Sequence, residues 1–287
     1  MSLPLPALEA LECFVAAAEA GQFRSAARRV GLSPNAFSQR IRQAEDQLGV
    51  TLFERTTRKV KLTTAGASLL PVARQALDAV RGVAEVAREG RPATARIRLG
   101  TRFELGISWL VPAMVALRTS HPHWQVQLVF GSGDEILAAL REHRVDALVT
   151  SAPVALDAWS VEPLHPETYA YVASPCCPAE HRDVLVDLDA SLPLARYLFA
   201  VAPALEFREH VLCGTIEAAR RLVLAGVGIR VLPEYLVSED LAQGALVRLP
   251  TSAPLLSDTF RLQFHTRSTL APVLRALADV LRGRPLR

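Results

Sequence analysis

"LSPNAFSQRIRQAEDQLG", residues 32–49, decides how the rest of the chain is read. Ser33 is placed to cap a helix, its hydroxyl accepting from an otherwise unpaired backbone N–H. Pro34 falls at the first helical position, where a missing N–H costs nothing. Gly49 closes the segment, as glycine commonly does just past a helix end. Phe37, Ile41, Ala44 and Leu48 recur at spacings of four, three and four, which predicts a buried stripe. Asn35, Ser38, Gln39 and Arg42 fall on another face. Upstream, "ALEALECFVAAAEA" (7–20) sets Leu8, Leu11, Val15 and Ala18 at helical spacing and stops at Gly21, and "FRSAARRV" (23–30) is a short second helix stopped at Gly31. Two short helices joined by a tight turn, the second presenting polar side chains, make the helix-turn-helix pattern. A helix of this width fits the major groove of DNA.

Downstream, "VTLFERTTRKVKLT" (50–63) alternates, Val60 and Leu62 facing one way and Lys59 and Lys61 the other, as in a strand. With Arg55 and Arg58 it reads as a basic hairpin, or wing, beside the groove. Charge agrees: between Gly21 and Leu62 stand nine basic and three acidic residues, a net of +6, although the whole chain carries only +3. A basic segment beside a near-neutral body points to a polyanion partner for that segment alone. From Thr63, a further N-cap, a helical pattern runs to about Glu89 with Leu69, Ala73, Ala76, Val80, Val83 and Ala87 in a regular heptad seam, widened by Leu70, Leu77 and Ala84. This is read as a dimerising helix, followed by a linker, "GRPAT" (90–94).

The quoted stretch, extended through "VTLFERTTRKVKLTTAGASLL", resembles the N-terminal domain of LysR-type transcriptional regulators. Ala26-Ala27, Ser33-Pro34-x-Ala36-x-Ser38, Glu45, Leu48-Gly49, Leu52-Phe53-Glu54-Arg55 and Leu62-Thr63-x-Ala65-Gly66 carry the likeness. It continues more loosely through "IRLGT", "GSGDEILAALREHRVDALV" and "LAGVGIRVLP", and so spans nearly the whole chain. The resemblance implies a winged helix-turn-helix, a linker helix that dimerises, and an effector domain like the type 2 periplasmic binding proteins. It also implies control of transcription in response to a small molecule, and homodimers that pair into homotetramers. Contact with RNA polymerase is left open. Three departures are visible. Many members have Ser-Arg-Gln-Ile where this chain has Ser38-Gln39-Arg40-Ile41, so base preference does not carry over. Arg24 stands where a Ser or Thr often caps the second helix, and Ala44 where Leu is usual.

The domains are expected at 1–63 (winged helix-turn-helix), 64–94 (linker helix and hinge) and 95–287 (effector domain), the last with one lobe over 95–157 and 253–287 and another over 158–252. In this body, strands at 96–100, 125–130, 145–150, 169–174, 196–201, 228–233 and 260–266 alternate with helical patterns, which implies parallel βαβ units. Pro112 must kink its helix or lie near an end. Ligands of open α/β sheets sit at the carboxyl ends of strands, which here selects Thr101, Arg102, Phe103, Ser132, Gly133, Asp134, Thr150, Ser151, Val201 and Ala202. Helix N-termini there suit a carboxylate, and Arg102 adds a bidentate partner unless it is paired with Glu104. A small organic anion is therefore expected, an amino acid if Glu104 takes an amine. On DNA, Asn35, Ser38, Gln39 and Arg42 are candidates for base edges. Ser33, Pro34 and Arg40 at the helix, with Arg55, Arg58 and Lys59 of the wing, are candidates for the backbone.

Other chemistry is missing from the sequence. No dinucleotide, phosphate-loop, zinc-protease or nucleophile-elbow motif is present, so neither a catalytic residue nor a cofactor is expected. His121-Pro122-His123 reads as a loop rather than a metal pair. Cys13, Cys176, Cys177 and Cys213 form no C-x-x-C pair. Buried, reduced thiols are the favoured reading, with a switch joining Cys213 to Cys176 or Cys177 as the alternative. No long uncharged apolar run and no basic-flanked leader occur, which points to the cytoplasm and away from a membrane.

Overall fold

A computed structural model describes residues 5–55, 60–89, 94–152 and 158–286. The head contains α1 (Leu8–Ala20), α2 (Phe23–Arg29) and α3 (Pro34–Leu48), then a hairpin of β1 (Phe53–Arg55) and β2 (Val60–Leu62). Ser33 caps α3 as expected, its Oγ accepting from Ala36 N at 3.2 Å, and Gly49 ends it in the left-handed conformation at φ 67°. α2 starts at Phe23 with Gln22 as its uncapped leading residue, so Arg24 lies inside the helix. The buried stripe of α3 packs Phe37 and Ile41 against Phe14, Leu52 and Phe53, with Phe23 in edge contact with Phe53 at 5.4 Å. A carboxylate fixes the hairpin to this core: Glu45 Oε1 accepts from Leu52 N at 2.8 Å and Phe53 N at 3.3 Å. Thr63 Oγ1 then donates to the Thr51 carbonyl at 2.7 Å and accepts from Gly66 N at 3.0 Å, turning the chain into the next helix.

That helix, α4 (Thr64–Glu89), has 26 residues and so runs about 39 Å at 1.5 Å per residue. Its seam is divided. Ala73, Leu70 and Leu77 are buried and Leu69 and Ala76 half-buried, whereas Val80, Val83 and Ala87 are exposed. The first half of the seam is thus used inside the chain rather than kept for a partner. Pro71 lies inside the helix, where it can donate no hydrogen bond to the turn before it. Arg74, on the buried side, joins three parts. Its Nη2 is 3.2 Å from Glu19 Oε1 of α1, and its Nη1 donates to the His143 carbonyl in the body.

The body begins with β3 (Ala95–Thr101), which leads through α5 (Phe103–Leu105) and a π-helical turn (Gly106–Leu110) into α6 (Val111–Ser120). Pro112 sits in the first turn of α6, directly after the π turn, so the helical path passes it without needing its N–H. β4 (Trp124–Phe130), α7 (Gly133–Arg141), β5 (Ala147–Thr150) and β6 (Trp159–Glu167) follow. The chain then crosses into a second lobe: β7 (Tyr169–Ala173), β8 (Val184–Asp187), α8 (Ala195–Val201), β9 (Glu209–Leu212), α9 (Ile216–Leu224), β10 (Arg230–Pro233), α10 (Glu234–Ala242) and β11 (Val247–Arg248). It returns through β12 (Asp258–His265) and α11 (Ala271–Arg282). The first sheet has order β4-β3-β5-β12-β6, with β3 parallel to β4 and β5, and β12 antiparallel to β5 and β6. The second sets β10-β7-β11 beside the parallel pair β8-β9, joined through a bridge between Leu185 and Ile229. Leu99, Trp109, Phe260, Phe264, Leu274 and Leu277 lie in one core; Tyr171, Val172, Ala219, Val223 and Val231 lie in the other. The molecule is thus a winged helix-turn-helix, a long helix and a two-lobed α/β domain.

Three expectations for the body need correction. The strands at 169–174 and 228–233, read as part of parallel βαβ units, pair antiparallel, with Val231 opposite Tyr171. Residues 196–201 are helical, not a strand: Asp187 Oδ2 accepts from Ala195 N at 3.0 Å at the helix start, and Tyr197 and Leu198 are buried in succession. A short apolar run cannot be told from a buried helix by periodicity. Residues 159–167 pair with β12 in the first sheet, not in the second lobe. Pro163 and Pro166 hide that strand in the sequence, and the structure tolerates them because β6 is an edge strand. Among the described residues no helix is long and apolar enough to cross a membrane.

The tight seat of α4 gives a test. A methyl group on Gly66 would overlap the Leu52 carbonyl oxygen, whereas one on Gly133 meets nothing within 4 Å. Gly66→Ala is expected to destabilise the head by ~1–3 kcal/mol, and Gly133→Ala to leave stability unchanged or raise it by ~0.5 kcal/mol. Urea unfolding of the full chain distinguishes them; equal behaviour contradicts the packing described.

Candidate DNA interface and effector cleft

The exposed side of α3 carries Asn35, Gln39 and Arg42, with Ser38 half-buried between them and Ser33 and Pro34 exposed at its start. These residues recur about once per turn and share one face. Because Phe37, Ile41 and Ala44 are almost fully buried on the other side, the polar face is held by core packing rather than by its own contacts. Arg40 differs. It is half-buried and reaches back toward α1, with Nη1 3.8 Å from Glu9 Oε2. The hairpin pairs Phe53 with Leu62, Glu54 with Lys61 and Arg55 with Val60, and Lys61 points outward between the half-buried Val60 and Leu62. Arg58 and Lys59 lie outside the described residues, as does the side chain of Arg55.

In the body, the carboxyl ends of β4, β3 and β5 bring Thr101, Arg102, Ser132, Thr150 and Ser151 together, as the βαβ reading expects. Thr101 is in register with Phe130 and Val149 on its two sides. Arg102 is paired within the chain, but not with Glu104, the alternative that the sequence offered. Its Nη2 donates to Glu167 Oε1 at 3.0 Å, and Glu167 is fully buried, so Glu104 is not its counter-ion. Burial pulls the Arg102 pKa down, but the Glu167 charge outweighs it and the net shift is upward, which fixes the guanidinium as a cation. Tyr235, nearly as deep, is raised chiefly by burial. Among the described residues, four polar atoms here are buried without a hydrogen-bond partner: Thr101 Oγ1, Arg102 Nε, Glu167 Oε2 and the Tyr235 hydroxyl. Buried polar groups are normally satisfied, so this cluster has unmet capacity for both donors and acceptors.

Other expected ligand positions have different surroundings from those the sequence suggested. Ser132 and Glu135 form a reciprocal capping box, Glu135 Oε2 accepting from Ser132 N at 2.8 Å. The chain's own carboxylate thus takes the Ser132 amide at the start of α7, beside Gly133 and Asp134, where a ligand anion was expected. Val201 and Ala202 end a helix instead of a strand, and a helix C-terminus disfavours anions. Phe103 is 56% exposed and stacks on Phe130 at 5.1 Å. Glu167 and Tyr235 were not anticipated. The Glu in "HPETYAY" (165–171), a lone acid entering an apolar strand, was the available signal. A second cluster closes the other crossover between lobes: Tyr169 and Tyr197 stack at 4.2 Å, Tyr197 donates to Asp258, and Arg196 Nη2 lies 2.8 Å from the Tyr197 hydroxyl.

All four cysteines are free thiols, Cys13 and Cys177 buried, Cys213 half-buried and Cys176 exposed. Burial raises the pKa of Cys13, Cys177 and Cys213. His121 stacks on Trp124 at 4.0 Å, and among the described residues no group of three or more side chains is arranged to hold a metal.

Two family models account for this layout. "Bacterial regulatory helix-turn-helix protein, lysR family" matches residues 8–67, and "LysR substrate binding domain" matches residues 90–285. Among similar proteins, the DNA-binding transcriptional dual regulator OxyR of Escherichia coli is 28% identical over 288 residues, covering 96% of this chain and 94% of that one. Among solved structures, ArgP from Mycobacterium tuberculosis superposes with a TM-score of 0.78 at 24% identity, over 98% of this chain and 97% of that one. Full-length LysG from Corynebacterium glutamicum, with bound effector Arg, gives 0.71 at 19% identity, over 97% and 99%. These relatives are regulators rather than enzymes, and both modules lie in one chain in the expected order: the protein belongs to the LysR family of DNA-binding bacterial transcriptional regulators.

Proposed function

We propose that this regulator reads operator DNA through the exposed face of α3, and that its interlobe cleft takes a small organic effector bearing both a carboxylate and an amine. The four unpartnered polar atoms around the Arg102–Glu167 pair carry the effector reading. A guanidinium and a carboxylate side by side match a zwitterion better than a simple anion, since a lone anion would meet Glu167 as well as Arg102. Glu104, on α5, adds a second negative charge for an amine. LysG is a fold neighbour whose own effector is arginine, an amino acid. A redox reading of Cys213 with Cys176 or Cys177 is less well supported, because thiols whose pKa is raised hold less of the reactive thiolate.

On DNA, Asn35, Ser38, Gln39 and Arg42 take base edges, amides suiting adenine and Arg suiting guanine. Ser33 and Pro34 at the start of α3, with Arg55, Arg58 and Lys59 of the wing, take the backbone. Arg40 keeps a smaller part there, since Glu9 competes for it. Two copies pair along the outer part of α4, where Val80, Val83 and Ala87 are exposed, and present two half-sites to the groove. Pairs of dimers then give the tetramer.

Three measurements test this. Arg42→Ala is expected to relax sequence preference by ~1–3 kcal/mol, and Arg58→Ala to weaken all sequences alike and reduce the salt slope by about one. Identical behaviour of the two in salt-titrated DNA binding rejects the division. Among amino acids and their deamino carboxylates, some amino acid should raise the melting temperature of the wild type and not of Arg102→Ala, with Glu104→Gln weakening amino acids more than the matched carboxylates. Equal responses from all three proteins reject the cleft. Finally, Val83→Glu is expected to halve the sedimenting mass of a dimer, or to reduce a tetramer's; an unchanged mass removes the outer seam from the assembly.

A further inference from the structure

Between α4 and the first lobe lies a cavity of about 320 Å³, remote from the interlobe cleft and facing neither α3 nor the wing. One wall is α4, through Ser68, Pro71, Val72 and Gln75. The other comes from the body: His143 and Val145 after α7, Trp159 at the start of β6, and His265 and Arg267 at the end of β12. Its volume falls within the range of small-molecule sites.

The lining has a definite chemistry. Trp159 and His265 meet edge to face with ring centroids 5.5 Å apart, and His143 lies 6.1 Å from His265. His265 Nδ1 accepts from Arg267 N at 3.1 Å, so the neutral ring keeps its proton on Nε2 and is a donor there. Burial first, then His265 and Arg74, lowers the His143 pKa, which keeps that ring uncharged at neutral pH. Among the described lining residues the one carboxylate, Asp146, is already taken: its Oδ2 accepts from Arg98 Nε at 3.0 Å and from Arg98 N at 2.8 Å. Arg267 is exposed and has no ion-pair partner among the described residues. The cavity therefore combines aromatic edges, apolar contact from Val72, Val145 and Pro71, and one uncommitted cation.

We infer that this cavity is a second small-molecule site, selective for a planar aromatic carboxylate, whose ring lies against Trp159 and His265 and whose carboxylate meets Arg267. An occupant touches α4 and the first lobe together. It therefore favours their joined arrangement by its own binding free energy, giving the head an input separate from the interlobe cleft.

The probe is naphthalene-1-carboxylate, titrated calorimetrically into the full-length protein. The wild type is expected to bind it. Arg267→Ala, which removes the cation, and Val72→Trp, which fills the cavity from the helix side, should each weaken binding at least tenfold. Both residues are exposed, Val72 at 57%, so unliganded melting should stay close to that of the wild type. Naphthalene-1-methanol, without the charge, and cyclohexanecarboxylate, without the aromatic ring, should also bind at least tenfold more weakly. Absence of binding by the wild type overturns the proposal, as does undiminished binding in either variant. Cleft variants play no part, so failure here leaves the zwitterion reading intact, and the reverse holds.

Discussion

Arg74 is buried in the side of α4, with the Glu19 carboxylate of the head on one side and the His143 carbonyl of the first lobe on the other. Burial lowers its pKa, and the nearby Arg98 lowers it further, while Glu19 works in the opposite direction. A charge removed from water is tolerated only while its partners stay in place. Head, long helix and body are therefore not three units on a flexible string. Sliding α4 along the body would strip the guanidinium of its carbonyl, and tilting the head would strip it of its carboxylate. The body contributes main chain rather than a side chain, from a residue held at φ 54°, a conformation that few non-glycine residues adopt readily. Backbone shape at that turn, more than the identity of its side chain, sets where the helix lies.

Much of the head could be read in the sequence because its signals are local. A cap, a proline at the first helical position, a stripe at helical spacing and a terminal glycine all fall within the eighteen residues from Leu32 to Gly49, and each has one dominant physical meaning. Glu45 shows the limit. Its carboxylate looks like surface charge in sequence, yet it holds the wing by two backbone amides seven and eight residues away. The heptad seam was legible as a pattern but not in its use. The same apolar spacing serves a partner helix or the chain's own head, and here Leu70 and Ala73 go to the head.

The body was legible in outline and least so at the cleft, because its decisive contacts join residues far apart in sequence. Arg102 and Glu167 are 65 positions apart, and Tyr197 and Asp258 are 61 apart. Thr101 and Arg102 do lie at the carboxyl end of β3, as their place in the sequence suggested. At the N-terminus of α7 the sequence did not show that Glu135 takes the Ser132 amide. Electrostatically the cleft is a balanced place rather than a positive one, with Glu167 offsetting Arg102.

The proline-bearing edge strand β6 has a consequence for association. A free sheet edge is a template on which another molecule's strand can pair. Pro163 and Pro166 lack an N–H, which leaves this edge strand fewer donors, and the pairing with β12 is irregular between Thr259 and Arg261. The strand is therefore a poor template for strand addition. The molecule is in this way guarded, along one side of its larger sheet, against the open-ended stacking through which β-rich proteins aggregate.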